Sequence, residues 1–225
     1  MIGTKYHKIQ SIFKRDRETG RFTDEFTCPE FELLAGATWD WSEKLDGTNI
    51  RITWRAVEGD DPDVQAVRLI GGRTDRAQIP TDLIARLEEL FPVEKLTDVF
   101  EVPKVEEQTV ILYGEGIGPK IQKGGGRYRS RPDFALFDVR VGRWWLKRED
   151  VFGVAETMGL AAAPCRGEGT LQEAIEFVKA GFTSELADDP TLPAEGLVLR
   201  PKCELFSRSG ERMITKVKTK DFKAE

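Results

Sequence analysis

Histidine is almost missing from this chain: its 225 residues contain one, His7. A serine or cysteine hydrolase that relies on a histidine base would have to use that residue, beside the N-terminus, so such chemistry is set aside. Cysteine is scarce as well. Cys28, Cys165 and Cys203 are scattered, odd in number and without paired spacing, which excludes a disulfide framework and a structural zinc site. No apolar run approaches the length of a membrane span, and the polar N-terminus carries no signal-peptide core. The expectation is therefore an intracellular, cytoplasmic protein with no membrane partner. A basic surplus is also lacking: 34 Lys and Arg against 39 Asp and Glu give a formal net charge of -5, so any nucleic-acid site must be local. Nor is there a Walker A loop, since no Gly-Lys-Ser/Thr follows the glycine-rich stretch at the required spacing. What is present is the profile of a globular chain, 40% hydrophobic and 32% charged, long enough to bury a core without staples.

The stretch around which the chain is organised is Glu43-Lys44-Leu45-Asp46-Gly47-Thr48-Asn49-Ile50-Arg51. Trp39 and Trp41 before it, and Ile50 and Ile52 after it, alternate as strands do. Asp46-Gly47-Thr48-Asn49 reads as a tight turn, because Asp-Gly and Asn suit turn backbone angles. A lysine held before such a turn is a candidate nucleophile, provided that nearby cations or desolvation help it shed its proton. The other reading is a hairpin carrying a surface lysine.

Further along, each stretch also carries two readings. The N-terminal 27 residues are basic in patches (Lys14, Arg15, Arg17, Arg21), with a turn at Glu18-Thr19-Gly20-Arg21 and with Ile9, Ile12 and Phe13 to pin them to the body. They form either an arm for a polyanion or a solvated edge, the latter slightly favoured. Glu58 to Asp63 is an acidic turn between the strands Asn49–Val57 and Val64–Ile70. Gly71-Gly72-Arg73 is either a phosphate-reading arginine on a close-approach backbone or an ordinary loop. Pro80 to Phe91 has helical spacing with Thr81 or Asp82 as N-cap, and a short helix or turn follows at Leu96–Val102. Thr109–Tyr113 is a strand that runs into Gly114-Glu115-Gly116, where the flanking glycines leave room for a ligand. Lys120 to Arg131 is a glycine-rich basic loop in which Tyr128 is placed to stack a base, or else a plain charged loop. Phe134-Ala135-Leu136-Phe137-Asp138 is a strand whose two phenylalanines face opposite sides if it is regular, leaving one for a flat ligand. Helices are predicted over 149–158 and, behind a Thr170/Glu173 capping box, over 171–181. Glu195 opens an apolar strand, and an alternating C-terminal strand puts Lys216, Lys218 and Lys220 on one face. Those lysines either guard a sheet edge or neutralise phosphates beside Lys44.

In this order the five stretches resemble the motifs of the covalent nucleotidyltransferases, the superfamily of ATP-dependent DNA and RNA ligases and mRNA capping guanylyltransferases. They are a Lys-x-Asp-Gly turn, a glycine-flanked Glu, a Phe-Asp strand, a Glu-Gly strand and a Lys-x-Lys strand, and they run from Glu43 to Lys218. Thr48-Asn49, Tyr113-Gly114-Glu115-Gly116 and Phe134 to Asp138 resemble the RNA-ligase versions, especially those of the double-strand nick-sealing, RNA-editing type. The resemblance implies an α+β nucleotidyltransferase (ATP-grasp-like ligase adenylation) domain of antiparallel sheets with flanking helices. It also implies an ATP-dependent RNA ligase acting in RNA repair. Lys44 would attack the α-phosphate of ATP and release pyrophosphate, AMP would pass to an RNA 5′-phosphate, and a 3′-hydroxyl would displace it.

By the same resemblance Lys44, Lys216, Lys218 and Glu195 are catalytic, and the two later lysines bind the phosphates. Asp46, Glu115 and Glu195 hold Mg²⁺, for which Mn²⁺ can substitute. Phe137 stacks on adenine, Glu43 lies beside its edge, and Asn49 and Arg73 serve the nucleotide phosphate and the RNA end. DNA ligases and capping enzymes follow the fifth motif with an OB-fold, whereas only Asp221 to Glu225 follow here. The expectation is one domain over 1–225, with RNA orientation falling to the core, the basic N-terminal segment, the Lys120–Arg131 loop or an RNA-repair partner protein. The rival readings are a GTP-dependent capping guanylyltransferase and a noncatalytic, partner-dependent RNA-binding subunit. Intact residues at Lys44, Glu115, Glu195, Lys216 and Lys218 speak against the last.

Overall fold

The structure, a computed structural model, describes residues 3–57 and 66–222. Its strands in chain order are β1 (Gln10–Ser11), β2 (Phe13–Arg15), β3 (Phe22–Phe26), β4 (Trp39–Glu43), β5 (Thr48–Ala56), β6 (Ala66–Gly72), β7 (Val110–Ile117), β8 (Asp133–Val141), β9 (Trp144–Trp145), β10 (Ala161–Ala162), β11 (Cys165–Gly169), β12 (Gly196–Pro201) and β13 (Thr215–Lys218). The helices are α1 (Pro29–Leu33), α2 (Thr81–Leu90), α3 (Val93–Phe100), α4 (Gly125–Tyr128), α5 (Arg148–Thr157) and α6 (Leu171–Ala180). The acidic turn expected over Glu58–Asp63, and the start of the next strand at Val64, lie outside the described residues. The expected α+β fold of mainly antiparallel sheets with flanking helices is what forms, with parallel pairing at β1–β13 and β10–β8.

The chain divides into two compact units, one of residues 1–6 and 46–162, the other of 7–45 and 163–225. In the first unit a sheet of order β10-β8-β7-β5-β6, with β9 on β8, buries one face. Ile50, Ile52 and Trp54 of β5 alternate toward the core, as do Val110 and Leu112 of β7, and they pack with Leu83, Leu87 and Leu90 of α2 and with Val151 and Ala155 of α5. The N-cap of α2 is Pro80, whose carbonyl accepts from Leu83 and Ile84, so neither Thr81 nor Asp82 has that place. Helix α3 starts at Val93 behind Pro92 rather than at Leu96. The sheet's other face is crossed by the segment Gly3–Tyr6: the carbonyl of Gly3 accepts from Arg51, that of Thr4 from the Tyr113 hydroxyl, and the Tyr6 hydroxyl donates to Asp138 at 2.7 Å.

Two glycines of β7 explain how this sheet can carry a glutamate on that other face. Gly114 faces the core, where a Cβ would come within 2.1 Å of the Phe134 ring, and at Gly116 it would come within 2.6 Å of Leu83. The strand therefore continues through Glu115 to Ile117 instead of ending at Tyr113. The glycines make room for the core, not for a ligand around Glu115. Across β7 and β8 the register slips between Tyr113 and Gly114, leaving Phe137 in a bulge. Leu136 and Val139 then both reach the core, which a regular period-two strand forbids.

In the second unit a sheet of order β1-β13-β12-β4-β11 packs Trp39, Trp41, Leu197, Leu199 and Val217 against Leu171, Ala174, Ile175 and Val178 of α6. The capping box at the start of α6 forms in full, with Thr170 accepting from the Glu173 backbone and Glu173 accepting from that of Thr170. The N-terminal turn lies at 16–20, where Asp16 Oδ1 accepts from the backbone of Glu18 and Thr19. Ile12 is fully buried, as an apolar pin should be.

Candidate active site

The strands on either side of Lys44 do not form a hairpin. β4 belongs to the second unit and β5 to the first, so the lysine sits where the chain passes from one unit to the other. Thr48 and Asn49 already belong to β5. Backbone pairing extends one step past β4: Lys44 N donates to Gly196 O at 2.8 Å. Gly196 in turn faces Lys218 in the register of β12 and β13. Lys44, Gly196 and Lys218 thus lie in a row across three strands. Lys216 and Lys218 alternate with buried Thr215 and Val217, which puts both lysines on the face away from the core. Lys220 leaves that face, because the chain turns into a 3-10 helix at Thr219–Phe222.

Glu195 ties the row together. One carboxylate oxygen meets Lys44 Nζ at 2.5 Å and the other meets Lys218 Nζ at 2.5 Å. Lys44 also donates to the carbonyl of Leu45 at 3.4 Å. Burial alone pushes the Glu195 carboxyl up, but the ammoniums of Lys44 and Lys218 outweigh it and hold the group below its ordinary value of 4.5. Gly196 allows this close fit. Its φ is +151°, and a Cβ there would come within 2.1 Å of the Val217 carbonyl oxygen.

Glu43 alternates with Lys44 and is 2% exposed. Its carboxylate accepts from the Ser184 hydroxyl and from the Glu185 backbone. Ser184 Oγ accepts in turn from the backbones of Leu186 and Ala187. Burial pushes the Glu43 carboxyl up, against the hydrogen bonds from Ser184 and Glu185 and the charge of Arg166. Nothing in the local sequence marks Ser184, since it is one of several small polar residues in a loop 141 positions away. Ser184→Ala is expected to lower stability by about 2 kcal/mol, because a buried carboxylate loses a donor and two N–H groups lose an acceptor; urea unfolding of parent and variant reads this directly.

The remaining predicted residues lie in the first unit. Asn49 pairs with Glu115 across β5 and β7, so both side chains project from the face opposite the core. Asn49 Oδ1 is buried and accepts no hydrogen bond from the described residues. Gly47 lies so close that a Cβ would come within 2.8 Å of Glu115 Cγ. The Asp46-Gly47 turn is clamped from the glycine-rich loop: Tyr128 Oη accepts from Asp46 N at 3.3 Å and Gln122 donates to Gly47 O at 3.0 Å. Tyr128 is buried and is therefore no stacking platform, contrary to the sequence reading. Phe137 packs edge-on against Tyr6, with ring centroids 5.1 Å apart, on the face shared with Tyr113. Burial pushes the Tyr113 hydroxyl up to about 12. Arg73 is exposed just beyond β6. The close approach at Gly72 is the chain's own, since a Cβ there would come within 2.7 Å of Ala77 Cβ, and the fully buried Arg51 donates to Gly72 O, Gly3 O and Asp75. The sequence reading gave Arg51 no part in this.

Three protein carboxylates do not by themselves make a metal cage here: among the described residues no three His, Cys, Asp or Glu stand together as a ligand group. The donors present are single carboxylates, one between two ammoniums and one beside an unsatisfied amide oxygen. Such donors fit a hard cation that arrives with phosphate and water oxygens already around it.

Several solved structures share this fold. An RNA ligase variant of Naegleria gruberi with ATP and Mn superposes with a TM-score of 0.62 at 19% identity, covering 99% of this chain and 61% of that one. A variant with AMP and Mn gives 0.60 at 18% identity, covering 86% and 53%. The same ligase with PPi gives 0.60 at 18% identity, covering 96% and 62%. The chain thus spans roughly half to two thirds of the length of the structures it matches. No curated protein matches it. The fold is that of a ligase nucleotidyltransferase. A sequence profile described as RNA ligase matches residues 37–218, and the chain belongs to the RNA ligase family.

Proposed function

We propose that this chain is the adenylation domain of an ATP-dependent RNA ligase, with both compact units serving that one function. The observation that carries the reading is the Glu195 carboxylate held between Lys44 and Lys218 in a chain of this family. The Lys44 amine attacks the α-phosphorus of ATP, its proton leaves to solvent, and pyrophosphate departs with the electrons of the broken P–O bond. A lysyl-AMP phosphoramidate remains. AMP then passes to a 5′-phosphate on RNA, and a 3′-hydroxyl displaces it to form the phosphodiester. Phosphoryl transfer of this kind is driven by in-line placement and charge neutralisation. Lys216 and Lys218 supply positive charge for the phosphates. Glu195 holds the Lys44 and Lys218 side chains side by side through its two carboxylate oxygens.

The carboxylates assigned to Mg²⁺ or its water shell are Asp46 and Glu115 in the first unit and Glu195 in the second, and Mn²⁺ can stand in for Mg²⁺. When bound, that ion neutralises phosphate charge. Phe137 is assigned to the face of adenine and Glu43 to its edge. Asn49 and Arg73 serve the phosphate and the RNA end. The Naegleria structures with ATP and Mn, AMP and Mn, and PPi support this nucleotide chemistry.

The test is nucleotide choice. Protein mixed with Mg²⁺ and α-labelled ATP or GTP is denatured and examined for bound label. Label from ATP, at least about tenfold over GTP, is expected from a base pocket that discriminates through its hydrogen bonds. Label from GTP alone would move the reading to cap formation.

A further inference from the structure

The basic N-terminal segment, which the sequence left between an arm for polyanions and a solvated edge, has a definite place in the second unit. Its hairpin β2–β3 forms one wall of a groove of about 910 Å³, whose other walls come from α6 and the C-terminal 3-10 helix. Four cations line it, Arg15, Arg21, Lys179 and Lys220, against two carboxylates, Asp24 and Asp221. The groove is thus positive in a chain whose formal net charge is -5. Two of the cations are also held in place. Arg15 lies over the Phe22 ring at 4.4 Å and is fixed by Asp221 at 2.6 Å and by Gly20 O at 2.9 Å. Lys179 lies over the Phe222 ring at 5.3 Å, and the Phe22 and Phe222 rings meet at 5.8 Å. The hairpin turn that presents Arg21 is held by Asp16, whose carboxyl is kept low by hydrogen bonds from Thr19. A solvated edge needs no such arrangement.

We infer that this groove is a docking site for the sugar–phosphate backbone of the RNA substrate, separate from the Lys44–Glu195–Lys218 row. Cations held over aromatic rings offer phosphate contacts at fixed positions, the charged groove that tracks a single-stranded nucleic-acid backbone. None of the nucleotide-binding residues assigned above lies in it. The inference rests on the RNA-ligase reading for the identity of the polyanion, but it is tested by binding alone.

The experiment compares the parent with Arg21→Gln/Lys179→Gln and with a control that removes equal charge elsewhere, Lys104→Gln/Arg143→Gln. Fluorescence anisotropy of a 5′-phosphorylated single-stranded RNA is read over a range of salt concentrations without ATP, and self-labelling by ATP is read on the same preparations. The groove variant is expected to bind about tenfold more weakly at physiological salt, with a salt slope smaller by about 1.4, or roughly 0.7 for each lost phosphate contact. Its self-labelling should match the parent's, which shows that the fold and the lysine row are intact. Equal binding by groove variant and parent, or an equal loss in the control, overturns the groove. A parent that binds RNA through the groove residues but takes no label from ATP would instead defeat the ligase reading and leave the groove standing.

Discussion

Lys44→Ala is expected to take up label from ATP at least about 10⁴-fold more slowly than the parent, which is the scale seen when a covalent nucleophile is removed outright. Lys44→Arg should be equally inactive, because a guanidinium keeps its proton and its charge but cannot attack phosphorus. The pair separates nucleophilicity from electrostatics: arginine can still pair with Glu195, so the fold and the local charge are retained while the reaction is lost. Neither variant should unfold. The Lys44 side chain is about a fifth exposed, and the strand geometry around it comes from the backbone bond between Lys44 N and Gly196 O and from the buried Trp39 and Trp41. Rates are read by gel or filter capture of labelled protein, and folding by thermal melts on the same samples.

Glu195→Gln should produce the next largest loss, about 10²- to 10³-fold in labelling, the range for removing one preorganised electrostatic partner. It also has a signature in stability that a purely catalytic role would lack. At pH 7 the variant leaves two ammoniums without their shared anion in a site that is 16–21% exposed, at a cost of about 2 kcal/mol. The carboxyl of Glu195 lies below its ordinary value of 4.5 in the folded chain. The unfolded state therefore binds the proton more readily, and stability from this group rises with pH. That contribution is complete above 4.5 and is lost as pH falls through the lower folded value. Parent and Glu195→Gln should accordingly differ in urea midpoint at pH 7 and converge as pH falls below 4.5 through the folded value. A constant gap across that interval would mean that the carboxylate is not the group that links the two lysines.

Local patterns carried much of this protein in its sequence, and the reasons are physical. Alternation in Thr215 to Lys218 puts lysines on one face whatever the partner strand, so Lys216 and Lys218 were readable. The Thr170/Glu173 box is a contact between residues three apart and needs no tertiary knowledge. Other features depend on partners far along the chain. Gly114 and Gly116 were read as space for a ligand, but their reason is the Phe134 ring and Leu83, which only the folded sheet brings near. Phe137 faces away from Phe134, as period two gives, but the register slip beside it, which turns Val139 to the core, has no local mark. Tyr128 looked like a stacking residue because it stands among arginines; its hydroxyl instead braces the turn after Lys44. Ser184 and Arg51 carried no local mark of their roles. The lysine itself was legible as a nucleophile or as a hairpin surface residue, and the assignment of β4 and β5 to different sheets removes the hairpin.

The most direct test of the account is to find which atom carries the nucleotide. The parent is incubated with Mg²⁺ and ATP, digested under conditions that preserve a phosphoramidate, and mapped by mass spectrometry alongside Lys216→Ala and Lys218→Ala. The account predicts a single AMP on the peptide containing Lys44, bonded to nitrogen and released by acid but not by hydroxide, with lower occupancy in the two variants but no change of site. AMP on any other lysine, or a fully folded parent that acquires none, would contradict it.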